Sequence, residues 1–260
     1  MALLYHAQQL TQQNRLDPMH NFDDIYQRAA QRKGGEAALE SLLSHPLSNA
    51  QLRRIPGDKW LEEFTRKVFQ SGFYWQVINN KWPGFREVFW DFNIEKLLRM
   101  PPEMLEQKAS DERIVRNFNK VKTVPLNAAM IYFHHQDHGQ SFSQFIADFP
   151  TERIVELWAY LKQHGARLGG NTGVYALRAL GKDTFILSRD IEAHLRANDI
   201  ITGGLQSKRS LAAIQHYFNE LQQHSGRSLQ QLSQLIAFSV GDNYVGVGDS
   251  YVGVEVDRVN

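Results

Sequence analysis

The 260-residue chain contains no cysteine. That absence excludes disulfides, thiolate zinc sites and thiol nucleophiles. No apolar run approaches the roughly 20 residues that a bilayer-spanning helix needs, so no membrane role is expected. The opening MALLYHAQQL lacks the basic segment and long apolar stretch of a secretory signal, which points to the cytoplasm. An excess of one charge is missing as well: 29 Lys and Arg stand against 28 Asp and Glu, a net +1. This balance excludes a polybasic tail and an acidic disordered chain. It leaves a nucleic-acid binder open, because a local basic face matters more than the sum. Alternating strand patterns are almost absent before residue 240, and Thr184–Leu187 is too short to carry a sheet.

What is present is helical spacing. Apolar residues recur at Ala37, Leu39, Leu42 and Leu43, and again at Leu61, Phe64, Val68 and Phe69. Breakers at Pro56-Gly57, Pro83-Gly84, Pro101-Pro102, Gly139, Pro150, Gly165 and Gly169-Gly170 cut the chain into short helices. Asp58, Asp111, Thr151, Ser207 and Ser228 read as helix starts. The class is all-α. Residues 1–20 read as a loose lead-in, 21–240 as one two-lobed helical domain, and 241–260 as a repetitive tail, GDNYVGV followed by GDSYVGV.

Two predicted helices, 151–165 and 174–180, are joined by ARLGGNTG. Such a turn points backbone N–H groups outward beside a helix N-terminus, where they bind phosphate without side chains. Gly169, Gly170, Asn171 and Thr172 are the expected contacts, with Arg167, Arg178 and Lys182 adding salt-dependent attraction. The alternative is a plain helical hairpin whose glycines serve only as a cap and a turn.

The segment after it, LGKDTFILSRDIEAHL (180–195), resembles that of base-excision DNA glycosylases. There a loop leads into a helix carrying a catalytic aspartate. Ser188 occupies that position here and Asp190 lies two residues later. Upstream, KVFQSGFYW (67–75) resembles the E-G-x-Q-A-G-L-x-W pattern of DNA-3-methyladenine glycosylase I, with Gln70, Gly72 and Trp75 in register. FREVF (85–89), FNIEKLLRM (92–100), IVRNFNKVKTVPLNAA (114–129) and SFSQFIADF (141–149) continue the likeness, keeping Arg116, Lys120, Asn127 and Ala128.

The resemblance implies a two-lobed helix-hairpin-helix glycosylase fold, with double-stranded DNA crossing the cleft between the lobes. It implies flipping of a damaged base into an aromatic pocket and hydrolysis of the N-glycosidic bond. It makes Lys67, Phe69, Gln70 and Trp75 the pocket residues and Asp190 the acid that orients water or stabilises the sugar cation. Phe69 and Trp75 read equally as core aromatics at helical spacing. The family's pocket glutamate is Lys67 here, and its cysteine-containing zinc site has no counterpart, so no metal or other cofactor is expected. Lys67 is open to three readings: an opponent of a cationic base, a Schiff-base nucleophile, or a structural lysine. A monomer in the cytoplasm, associated with the nucleoid, completes the expectation; a non-catalytic DNA-binding descendant and a helical protein-interaction module are the rivals.

Two further groups stand out. His134 and His138, with Asp137, have metal-ligand spacing, or else form a solvated helix end favoured by the dipole. Arg113, Arg116, Lys120 and Lys122 form a stretch with no acid between its ends, facing either phosphates or water.

Overall fold

A computed structural model describes residues 18–240, with side chains from residue 22. The tail 241–260 and nearly all of the lead-in 1–20 lie outside the described residues. Every regular element among those described is helical. In chain order they begin with α1 (Pro18–Lys33), α2 (Glu36–Leu42), α3 (Asn49–Arg53), α4 (Gly57–Gln70) and α5 (Trp75–Asn80). There follow α6 (Trp82–Val88), a 3-10 turn (Trp90–Phe92), α7 (Ile94–Leu98), α8 (Pro102–Ala109), α9 (Phe118–Val121) and α10 (Thr123–His138). The chain continues with α11 (Phe142–Asp148), a second 3-10 turn (Thr151–Arg153), α12 (Ile154–His164) and α13 (Asn171–Ala179). It ends in α14 (Arg189–Ala197), α15 (Lys208–Ser225) and α16 (Leu229–Ser239).

Two compact units result. Pro46–Ile186 form one, and the described residues up to His45 together with those from Leu187 to Val240 form the other. In the Pro46–Ile186 unit, α4 buries Trp60, Leu61, Phe64, Val68 and Phe69, a spacing that puts them on one face. Phe69 meets Phe85 edge-on at 4.6 Å, and Trp82 stacks between Phe85 at 4.9 Å and Phe92 at 5.6 Å. That stack holds Trp90, Asp91 and Phe92 in left-handed backbone, with φ of 55°, 52° and 59°. In the other unit α16 packs against α1, α14 and α15. There His194, buried, shares a 2.7 Å hydrogen bond with the Tyr217 hydroxyl.

Helix ends in the Pro46–Ile186 unit are closed by lysines arriving from other elements. The last carbonyls of a helix lack intrahelical partners and carry the negative end of the dipole, so an ammonium group suits them doubly. Lys108 donates to the Val88 carbonyl at the end of α6. Lys182 donates to the Ala147 and Phe149 carbonyls at 3.3 and 2.5 Å, at the end of α11. Lys120 donates to the Val68 and Phe69 carbonyls at 2.8 and 3.1 Å, and to that of Ser71, at the end of α4.

Helix starts agree with the sequence at Ser207 and Ser228, which cap α15 and α16 through their side chains. Thr151 opens a 3-10 turn, and Asp58 sits in the first turn of α4. Asp111 is a correction. Its carboxylate accepts the Arg113 backbone N–H at 2.9 Å and closes a turn, and the next helix starts only at Phe118, capped by Asn117. Thr184–Leu187 forms no strand.

Candidate nucleic-acid interface

The hairpin forms as its glycines require. α12 ends at His164, where the Gly165 N–H still reaches the Leu161 carbonyl at 2.9 Å. Gly170 precedes α13 with φ 60° and ψ −139°, a backbone open to glycine, and a Cβ there would meet no atom within 4 Å. That side of the turn is therefore open to an approaching ligand. Gly173 is constrained from within: a Cβ would stand 2.5 Å from the Leu168 carbonyl oxygen, to which the Gly173 N–H donates at 3.2 Å. Gly169 packs on the Lys162 stem, while Asn171 and Thr172 are half-buried in the first turn of α13.

The cations expected around this turn divide. Arg167 is exposed, with φ 61°. Arg178 is a correction: it is 5% exposed and donates through Nε to the Thr184 carbonyl at 3.2 Å. Burial lowers its pKa to about 10. It holds the α13 exit to residue 184 and presents nothing to a phosphate. Lys182 is likewise buried on the α11 carbonyls, and burial lowers it to about 8.

Asn127 clamps the hairpin from below. Fully buried on α10, it accepts the Ala166 N–H at 2.7 Å through Oδ1 and donates to the Ala166 carbonyl at 3.2 Å through Nδ2. Both halves of one backbone residue are thereby satisfied by a single side chain.

The turn from α4 into α5 carries the pocket segment. Phe73, Tyr74 and Trp75 are 40%, 86% and 42% exposed, so three aromatic residues in a row leave the core. Lys120 anchors the turn: besides its three carbonyl contacts, its amine lies 4.6 Å from the Phe73 ring centre. Burial pushes the Lys120 pKa down, and the positive charge of Arg167 lowers it further. The hairpin helix α13 packs against α4, whose end this turn follows.

The pocket candidates separate accordingly. Trp75 is exposed at the start of α5, and its reading as a core aromatic fails. Phe69 is the reverse, fully buried against Phe85, with no face free for a base. Lys67 is mostly covered. Its amine meets the Glu63 carboxylate at 3.0 Å and the Gln70 carbonyl oxygen at 3.3 Å, so it is not held out as an isolated charge or a free nucleophile. Gln70 donates onward to Asn79 at 3.0 Å.

Asp190 belongs to the other unit, in the first turn of α14, a position the helix dipole favours for any acid. Ser188 caps that helix, its hydroxyl accepting the Ile191 N–H at 3.3 Å. Cap chemistry accounts for a serine there.

The basic stretch is no helix face. Lys120 is buried, while Arg113, Arg116 and Lys122 are exposed, Arg113 paired with Asp111 and Glu87 and Arg116 lying 3.9 Å from Glu112. His134 is 3% exposed and bonded to the Tyr160 hydroxyl at 2.8 Å, so it is no solvated helix end. Burial lowers its pKa to about 4. No His, Asp and Glu group among the described residues is arranged to hold a metal ion. Two surface cavities, about 260 and 300 Å³, lie at Gly57–Ile131–Phe142 and at Trp90–Lys108; Arg113 lines the second, and neither is lined by a residue expected in the base pocket or the hairpin. No described helix is long and apolar enough to cross a membrane.

Reasoning from sequence missed the roles of Lys120 and Asn127. Both recur at helical spacing with the buried Val124, Ala128 and Ile131, a signal that each needs a buried partner.

Residues 57–168 match the methyladenine glycosylase family. No curated protein matches the chain. Among solved structures it is similar to a 3-methyladenine DNA glycosylase I, at 20% identity over 56% of this chain and 87% of the other, with a TM-score of 0.43. It is also similar to the 3-methyladenine DNA glycosylase I of Staphylococcus aureus, at 21% identity over 60% and 91%, with a TM-score of 0.44.

Proposed function

We propose that the chain, whose residues 57–168 match the methyladenine glycosylase family, is a DNA-repair protein that binds duplex DNA and hydrolytically removes a damaged base. The observation that carries this reading is the exposed aromatic turn Phe73–Trp75 at the end of α4, the helix against which α13 of the open-sided glycine hairpin packs. A turn of that kind neutralises no charge itself. It offers backbone N–H groups to a phosphate, and Arg167 adds attraction that salt weakens. Trp75 supplies a face for a base taken out of the stack, worth about 1–3 kcal/mol. Water is the nucleophile and Asp190 the acid assigned to orient it. No metal or cofactor enters the scheme, and the protein acts as a monomer in the cytoplasm, on the nucleoid.

Lys67 favours a second reading, a DNA-binding protein that recognises damaged or distorted duplex without cleaving the bond. The residue that stands in the glutamate's place is a lysine already engaged by Glu63 and Gln70. One experiment separates the two: base release from methylated duplex DNA, with the product identified. Release of a methylated base that Asp190→Asn abolishes supports the enzyme. Tight binding to the same duplex with no base released supports the second reading.

A further inference from the structure

Lys120, in α9, and Asn127, in α10, are seven residues apart, and Lys122, the one residue between the two helices, has φ −61° and ψ −17°. Val124, Ala128 and Ile131 are buried along the same stretch. Lys120 and Asn127 each interrupt it with a polar group, and each spends it on backbone elsewhere. Lys120 takes three carbonyls at the end of α4 and in the following turn. Asn127 takes both polar groups of Ala166.

We infer that these two are positioning residues, which hold the aromatic turn and the phosphate hairpin at a set spacing from the adjoining helices α9 and α10. The inference rests on the DNA reading above. Lys120 acts on the base side alone: without it, three carbonyls lose their donor and the segment carrying Phe73, Tyr74 and Trp75 loses its anchor. Asn127 acts on the phosphate side, since its side-chain partner among the described residues, Ala166, is in the hairpin. The two therefore fail differently, where residues needed only for stability would fail alike.

The test uses the intact protein, a fluorescent undamaged duplex, and the same duplex with a stable abasic analogue. The analogue lowers the cost of unpairing and rewards a stacking turn. Affinities are read across a salt series. Asn127→Ala is expected to weaken both duplexes by the same factor, about tenfold, and to flatten the salt dependence. Lys120→Met is expected to leave the undamaged duplex within about twofold and its salt slope unchanged, while the preference for the abasic duplex disappears. Lys120→Arg, which keeps donors for the carbonyls, should retain that preference; if Lys120→Met does not fold, Lys120→Leu, also without a donor, carries the same expectation as Lys120→Met. A wild type that binds neither duplex at low salt overturns the DNA reading and this inference with it. A wild type that binds both, with the two variants weakened equally on both, overturns the inference alone.

Discussion

Replacing Glu62 by Gln tests what holds the aromatic turn's parent helix in place. Glu62 is 5% exposed, and its carboxylate accepts from Arg86 Nε at 2.7 Å, Trp82 Nε1 at 2.9 Å and Lys59 Nζ at 2.9 Å. Burial alone would raise its pKa, but the hydrogen bonds from Arg86, Trp82 and Lys59 outweigh burial and bring it from 4.5 to about 2. A shift of that size corresponds to about 3 kcal/mol of stability at neutral pH. Breaking a buried ion pair gives a similar figure, on the order of 3–5 kcal/mol, with the low end fitting here because Arg86 and Lys59 are half-exposed and regain water. The folded-state pKa is the depressed one, so the contribution is complete above 4.5 and is lost as pH falls through about 2. All five tryptophans lie within Pro46–Ile186, so urea unfolding followed by tryptophan fluorescence reports that unit. Glu62→Gln should cost about 3 kcal/mol at pH 7, and the gap to wild type should shrink to about half by pH 3. A variant within about 1 kcal/mol of wild type at pH 7, or a gap that ignores pH, refutes the reasoning.

Gly170→Asp places a negative side chain on the open side of the hairpin, and duplex affinity at low salt should fall by about tenfold or more; unchanged affinity removes the hairpin from the interface. Lys67→Glu should increase release of cationic 3-methyladenine, and Trp75→Ala should weaken release of every base, both read by product analysis. Efficient release by the wild type that Lys67→Glu leaves unchanged means that the pocket discriminates by shape. His194 is held neutral by burial, with Arg28 adding to the effect, and its pKa falls from 6.5 to about 4. The unfolded chain takes up this proton first, so stability should drop as pH falls from about 6.5 to about 4 and then level off. Hydrogen exchange in α14 measures this, and His194→Gln should flatten that part of the profile.

Much of this was legible because it is local. Helical spacing identified the class, and a glycine cluster between two amphipathic runs identified the hairpin, since a turn's backbone depends on its own residues. Arg178 and Asp111 were misread for the opposite reason. Whether an arginine on α13 faces phosphate or the core depends on the segment through Thr184, which folds back over it. Whether an aspartate caps a helix or closes a turn depends on two residues of backbone beyond it.

Lys120 and Asn127 lie between these cases. A lysine and an asparagine at helical spacing with buried apolar residues cannot be buried alone, because an unpaired ammonium or amide in the core costs more than the burial gains. Sequence therefore announces that each has a partner. It cannot say which backbone they reach, since the end of α4 is about fifty residues away from Lys120 and Ala166 about forty from Asn127. The same logic bears on Lys67. Its nearest acid, Glu63, is one turn back on the same helix, at the spacing that makes such pairs. The pair is neutral as a whole, so a base beside it meets far less repulsion than one unpaired charge would impose. What a glutamate at 67 would add is thus two changes at once, a new negative charge and a Glu63 left without its lysine. Lys67→Gln separates them, since it removes the positive charge without adding a second carboxylate.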